Sequence, residues 1–117
     1  LKNQSFFTRF GFAANGIKTA IKNEASFRTQ LIIAITVLFV LGILGAKPLW
    51  WALVMLCIGV VLTAEMFNTA LEQLIDHLHP ERHTAIGIVK DCAAGAVLIS
   101  SLSSVVIFAF FLVDRFL

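Results

Sequence analysis

A chain of 117 residues with 59% hydrophobic and 14% charged side chains has room for one domain only. A soluble domain carries nearer to about 25% charged residues, so the composition excludes an ordinary water-solvated protein and implies a chain solvated largely by lipid. A net charge of +2 with no Lys/Arg run excludes a phosphate-tracking surface, and no nucleic-acid partner is expected.

Along the chain, Phe6, Phe10, Ala13, Ile17 and Ile21 recur at helical steps, interrupted by Arg9, Asn15, Lys18 and Lys22. Bulky apolar residues alternating with basic ones predict an amphipathic helix over about residues 5–22, lying in the headgroup layer. A soluble helix packed on a partner is the alternative. The run Leu31–Ala46 follows; at 1.5 Å per residue it is about 24 Å long, so the span recruits the preceding turn and covers about residues 27–46. Trp50 and Trp51 anchor the start of a second span, about 49–75, at an interface. The third, about 91–113, contains the uncharged stretch Cys92–Val113. The expected fold is therefore all-α: a surface helix plus three transmembrane helices. No cleaved leader is expected, because the first strongly apolar run begins only at Leu31 and two more follow. Cys57 and Cys92, far apart and in apolar surroundings, read as small packing residues.

Lys2, Arg9, Lys18, Lys22 and Arg28 precede the first span, and Arg82 and Lys90 lie between the second and third. The positive-inside rule puts the N-terminus and second loop in the cytoplasm, with Lys47 and Arg115 at the other face. All the acids except Asp114 fall at or near the cytoplasmic side.

Three of those acids form a pattern. In "AEMFNTALEQLID", Glu65, Asn68, Glu72 and Asp76 are 3, 4 and 4 residues apart. At 100° per residue they occupy an arc of roughly 80°. A carboxylate at the centre of a membrane helix costs about 2.5–3.5 kcal/mol, so such positions usually carry function. Three readings fit the stripe: a bundle-facing polar seam, a proton or ion path, or a divalent-cation site, to which Glu24 adds a carboxylate from another helix. The segment "DHLHPERHTAIGIVKD" has Pro80 as a breaker, Gly87 as a flexible point, and Lys90-Asp91 at the entry to the third span. A lysine suits phosphate and an aspartate suits a metal or hydroxyl, which favours a nucleotide site with Mg²⁺ over a proton path. For Lys90 alone, a snorkelling interfacial lysine is an equal reading. His77, His79, Glu81 and His83 straddle the proline turn and lack zinc-motif spacing. The common phosphate-loop and protein-kinase signatures are missing.

"EMFNTALEQLID", "ERH", "KDCAAGAVL" and the upstream "NEASFR" together resemble the prokaryotic diacylglycerol kinase family, small three-span lipid kinases that include the undecaprenol kinases. The similarity runs from about Phe10 through Ser100. It implies a homotrimer in the bacterial inner (cytoplasmic) membrane, with active sites shared between subunits and ATP and Mg²⁺ used to phosphorylate a lipid hydroxyl. It implies Glu65 as the catalytic acid-base residue, and Glu24 and Glu72 as metal and nucleotide carboxylates. Glu81, Arg82, His83, Lys90 and Asp91 are implied nucleotide contacts, while Asn68, Asp76 and Gly87 are expected to support the site. Phe12, where the Gram-negative enzymes tend to have tyrosine, and the opening "AAGAVL" of the third span are similar to the undecaprenol kinases. Undecaprenol is therefore the favoured acceptor, with diacylglycerol the alternative and a small ion conductor a distant third.

Overall fold

The computed structural model describes residues 3–78, 81 and 84–117, and the secondary structure among them is entirely helical. Helix α1 (Phe6–Asn23) starts at Ser5, whose Oγ accepts the backbone N–H of Thr8 at 3.3 Å and so satisfies one of the orphan donors of the first turn. Its aromatic and aliphatic side chains Phe6, Phe7, Phe10, Phe12, Ile17 and Ile21 are all exposed, and Ala20 is its one buried residue. The helix thus touches the bundle only toward its C-terminal end and presents the rest of its apolar surface outward, as a headgroup-layer helix does.

One extended residue, Glu24, separates α1 from α2 (Ala25–Ile43). Arg28 folds back over this corner and donates from Nη1 to the carbonyls of Ile21 and Lys22, each at 2.9 Å. Those are last-turn carbonyls that have no partner within a helix, so the guanidinium caps α1 and sets the angle between the two helices. At its other end α2 stops in a Schellman turn. Gly45 adopts φ 63°, the Ala46 N–H reaches the Leu41 carbonyl at 3.0 Å, and the Gly45 N–H reaches that of Gly42 at 3.2 Å. Pro48 then opens α3 (Pro48–Leu78), where its missing N–H costs nothing.

Helix α3 is the axis of the fold: α2 and α4 (Thr84–Phe116) both pack against it, while the backbones of α2 and α4 do not approach one another among the described residues. Three helices, α2, α3 and α4, are long and apolar enough to cross a membrane. Leu41, Val54 and Phe111 form the buried cluster at one end, ringed by Trp50, Trp51 and Phe108. At that end Trp50 Nε1 on α3 donates to Asp114 on α4 at 3.0 Å, and Arg115 Nε bridges α4 to the end of α2 by donating to the Leu44 carbonyl at 3.1 Å.

The structure differs from the sequence expectation in the second loop. Gly87 lies within a helix and not in a loop: α4 begins at Thr84 and carries Gly87 in its second turn, exposed and with open space around it. One glycine costs a helix about 1 kcal/mol, less than the hydrogen bonds gained by continuing it. Cys57 is half-buried as expected of a packing residue, but Cys92 is exposed on α4.

Candidate functional site

The polar stripe of α3 descends from interior to solvent. Glu65 is 2% exposed, Asn68 and Glu72 are half-buried, and Asp76 is exposed. Glu65 lies 17 residues beyond Pro48, about 26 Å along the axis, which brings it close to the far boundary of a hydrocarbon layer about 30 Å thick. Glu72 and Asp76 continue about 10 and 16 Å past it, into the headgroups and beyond.

Each stripe residue has a defined neighbour. Ser26, in the first turn of α2, donates its hydroxyl to Glu65 Oε1 at 2.7 Å. Asn68 Nδ2 points to Glu72 Oε1 at 3.4 Å, one turn along the same helix. Asn68 Oδ1 is buried and has no hydrogen-bond partner. A buried acceptor left unpaired costs about 1–3 kcal/mol, so this oxygen is poised for a donor or a cation. Asp76 Oδ1 takes Lys90 Nζ from α4 at 2.7 Å. Helix α1 meets α3 at the level of Glu65: a Cβ on Gly16 would lie 3.9 Å from the end of Met66.

Glu24 stands at the α1–α2 corner as the N-cap residue of α2, but its carboxylate makes no capping bond. It is half-buried and two residues from Ser26. Asp91 is exposed beside Lys90 on α4, and Glu81 is exposed in the turn between α3 and α4. Arg82 and His83, as well as His79 and Pro80, lie outside the described residues. Of the sequence-derived set, the structure joins Asn68 to Glu72 and Asp76 to Lys90, both by direct contact. It places Glu65 against Ser26, a residue the sequence reading passed over.

The profile of the prokaryotic diacylglycerol kinase family matches residues 11–112. The chain belongs to that family. It is 30% identical over 102 residues to the undecaprenol kinase of Bacillus subtilis, an alignment covering 87% of this chain and 83% of that one. It is 30% identical over 99 residues to a diacylglycerol kinase of Synechocystis sp., with 84% of this chain and 57% of that protein aligned. The diacylglycerol kinase of Escherichia coli K12 is 27% identical over 118 residues, 97% of both chains. The matched range takes in every candidate residue from Glu24 to Asp91.

Two further residues at this end escaped the sequence reading. The charge pattern marks Arg28 only as one of the positive residues before the first span, yet it caps α1. Gln30 donates to Ser101 Oγ at 3.2 Å and is one of the few side chains joining α2 to α4. A glutamine on an otherwise apolar helix was the available signal, since an amide in that setting needs a partner.

Among the described residues no three His, Cys, Asp or Glu side chains converge on one point. Mg²⁺ seldom needs such a cage, because it keeps water and takes one or two carboxylates plus substrate phosphates. The Glu72 carboxylate and the unpaired Asn68 carbonyl, one turn apart on α3, are hard oxygen donors of the kind Mg²⁺ takes, and Glu24 offers a further uncapped carboxylate at the α1–α2 corner.

Proposed function

We propose that this chain transfers the γ-phosphoryl group of ATP to the hydroxyl of a membrane lipid, with Glu65 as the base. Family membership makes it a lipid kinase; the burial of Glu65, the one buried residue of the stripe, is the observation that supports the mechanism. A lipid hydroxyl sits at the headgroup boundary, the level to which helix rise counted from Pro48 would bring Glu65, and Glu65 is the one carboxylate of the stripe screened from water. A general base must lie within hydrogen-bond reach of the proton it takes. Glu65 accepts that proton as the lipid oxygen attacks the γ-phosphorus, and ADP leaves on the cytoplasmic side.

Glu24 and Glu72, supported by Asn68, would hold Mg²⁺, which when bound supplies charge neutralisation on the phosphate oxygens. Lys90 moves from Asp76 to the triphosphate, and Asp91 with Glu81, Arg82 and His83 contacts the rest of the nucleotide. Positioning of the two substrates then accounts for most of the acceleration, as in other phosphoryl transfers. The N-terminus and the α3–α4 turn face the cytoplasm of a bacterial inner membrane, following the Lys/Arg distribution. Few side chains of the spans are buried within one chain. A homotrimer with shared sites, the assembly the family resemblance implies, covers that surface.

Undecaprenol is the acceptor we favour, on the resemblance of "AAGAVL" and Phe12 and on the undecaprenol kinase of Bacillus subtilis among the relatives. The experiment is phosphate transfer from labelled Mg-ATP in mixed micelles, with undecaprenol and diacylglycerol compared. Transfer to undecaprenol at least tenfold faster is expected, and faster transfer to diacylglycerol overturns the acceptor assignment. Glu65→Gln abolishes turnover while ATP still binds; retained turnover removes Glu65 as the base.

A further inference from the structure

We infer that Ser26 is a positioning residue for Glu65, holding one carboxylate oxygen so that the other faces the lipid hydroxyl. The inference rests on the reading of Glu65 as the base.

Serine and threonine hydroxyls on membrane helices ordinarily bond back to a carbonyl of their own helix. Thr36, Ser100, Ser103 and Ser104 all do so, at 2.8–3.1 Å. Ser26 is different: its Oγ crosses from α2 to α3 and donates to Glu65 Oε1 at 2.7 Å, between residues 39 apart in sequence. That length is a full O–H···O hydrogen bond. Glu65 is 2% exposed, so water has little access to it from the described chain.

A glutamate has three side-chain torsions and loses much rotamer freedom when fixed. One short bond to Oε1 removes most of that freedom, and it leaves Oε2 as the oxygen with unused acceptor capacity. Ser26 is itself held firmly. It lies in the first turn of α2, next to buried Phe27, on a corner pinned by the two bonds from Arg28. The base is thus aligned from outside its own helix, and the alignment is set before any substrate arrives. Such preorganisation is what proton abstraction in a confined site requires.

The test compares Ser26→Ala and Ser26→Thr with the wild type and with Glu65→Gln, all as full chain in mixed micelles with Mg-ATP and the preferred lipid. Ser26→Ala is expected to lower kcat on the order of tenfold, the effect of losing one bond to a charged group. KM for ATP and for lipid stays within twofold, and the protein stays folded at the assay temperature. Ser26→Thr, which keeps the hydroxyl, is expected to restore most of kcat. An unaltered kcat in Ser26→Ala overturns the proposal. So does a loss in both variants accompanied by a lower melting temperature, which marks a packing role. If Glu65→Gln itself retains turnover, the assignment of the base fails first, and that outcome is distinct from an inactive Glu65→Gln beside a fully active Ser26→Ala.

Discussion

At the scale of single residues, the site is built from polar atoms that the fold alone does not need. Asn68 is the clearest case: its Oδ1 is buried and unpaired, and its amide makes only a long contact with Glu72. Replacing a buried group that has no partner with an apolar one of similar size is nearly neutral or stabilising. Asn68→Leu is therefore expected to hold or raise stability, by up to about 1 kcal/mol, while phosphotransfer falls at least tenfold and the Mg²⁺ needed for half-maximal rate increases. Thermal unfolding in micelles and a Mg²⁺ titration of the rate check both halves; a destabilised protein with normal Mg²⁺ dependence would contradict the assignment. The residue types were legible from the sequence because acids and amides in a lipid-solvated helix stand out against their surroundings. Their partners were not. Ser26 and Gln30 act across 39 and 71 residues of chain, and only the packing of α2 against α3, or the side-chain bridge to α4, reveals them.

At the scale of elements, the helices were readable and their junctions were less so. Lys47-Pro48 closes the first apolar run and Pro48 starts α3, but the span expected to reach residue 46 ends at Ile43, where Gly45 makes the Schellman turn. The α3–α4 junction was less legible, since the segment read as a loop up to Asp91 is helical from Thr84 and carries Gly87 inside α4. The α1–α2 junction carries the site, and it depends on Arg28. Two bonds from a guanidinium to last-turn carbonyls are worth more than an exposed ion pair, yet the group is solvent-exposed and its value is discounted accordingly. Arg28→Ala is expected to cost about 1 kcal/mol of stability. The larger effect is on turnover, expected to drop about tenfold, because Glu24 and Ser26 flank the same corner and both lose their fixed placement. Arg28→Lys, whose ammonium can donate two bonds as Nη1 does but lacks the rigid guanidinium plane, recovers stability more than turnover. Melting temperatures and kcat for the pair decide it; equal losses in both quantities would make Arg28 a simple capping residue.

At the scale of the whole molecule, the two ends have separate tasks. Glu24, Glu65, Glu72, Asp76, Lys90 and Asp91 gather at one end, and the Leu41–Val54–Phe111 cluster with its polar bridges closes the other. Between them α2 and α4 meet only through side chains, of which Gln30–Ser101 is the bond within the spans. The separation predicts that damage at the closed end appears as lost stability and leaves the chemistry intact. Trp50→Phe is the sharpest probe. It keeps an aromatic ring to stack on Phe111, 5.6 Å away and steeply inclined, and removes only the donor that reaches Asp114. Because the carboxylate remains exposed and can be hydrated, the expected cost is about 0.5–1.5 kcal/mol, seen as a lower melting temperature. Turnover measured well below that temperature is expected to stay within twofold of wild type. Leu41→Ala, at a position with no exposed surface, extends the same test: a loss of about 2–5 kcal/mol with kcat retained in whatever fraction remains folded. A fall in kcat per folded molecule, in either variant, would mean that strain at the closed end reaches Glu65 through α3, and that the long central helix is a coupling rod as well as a scaffold.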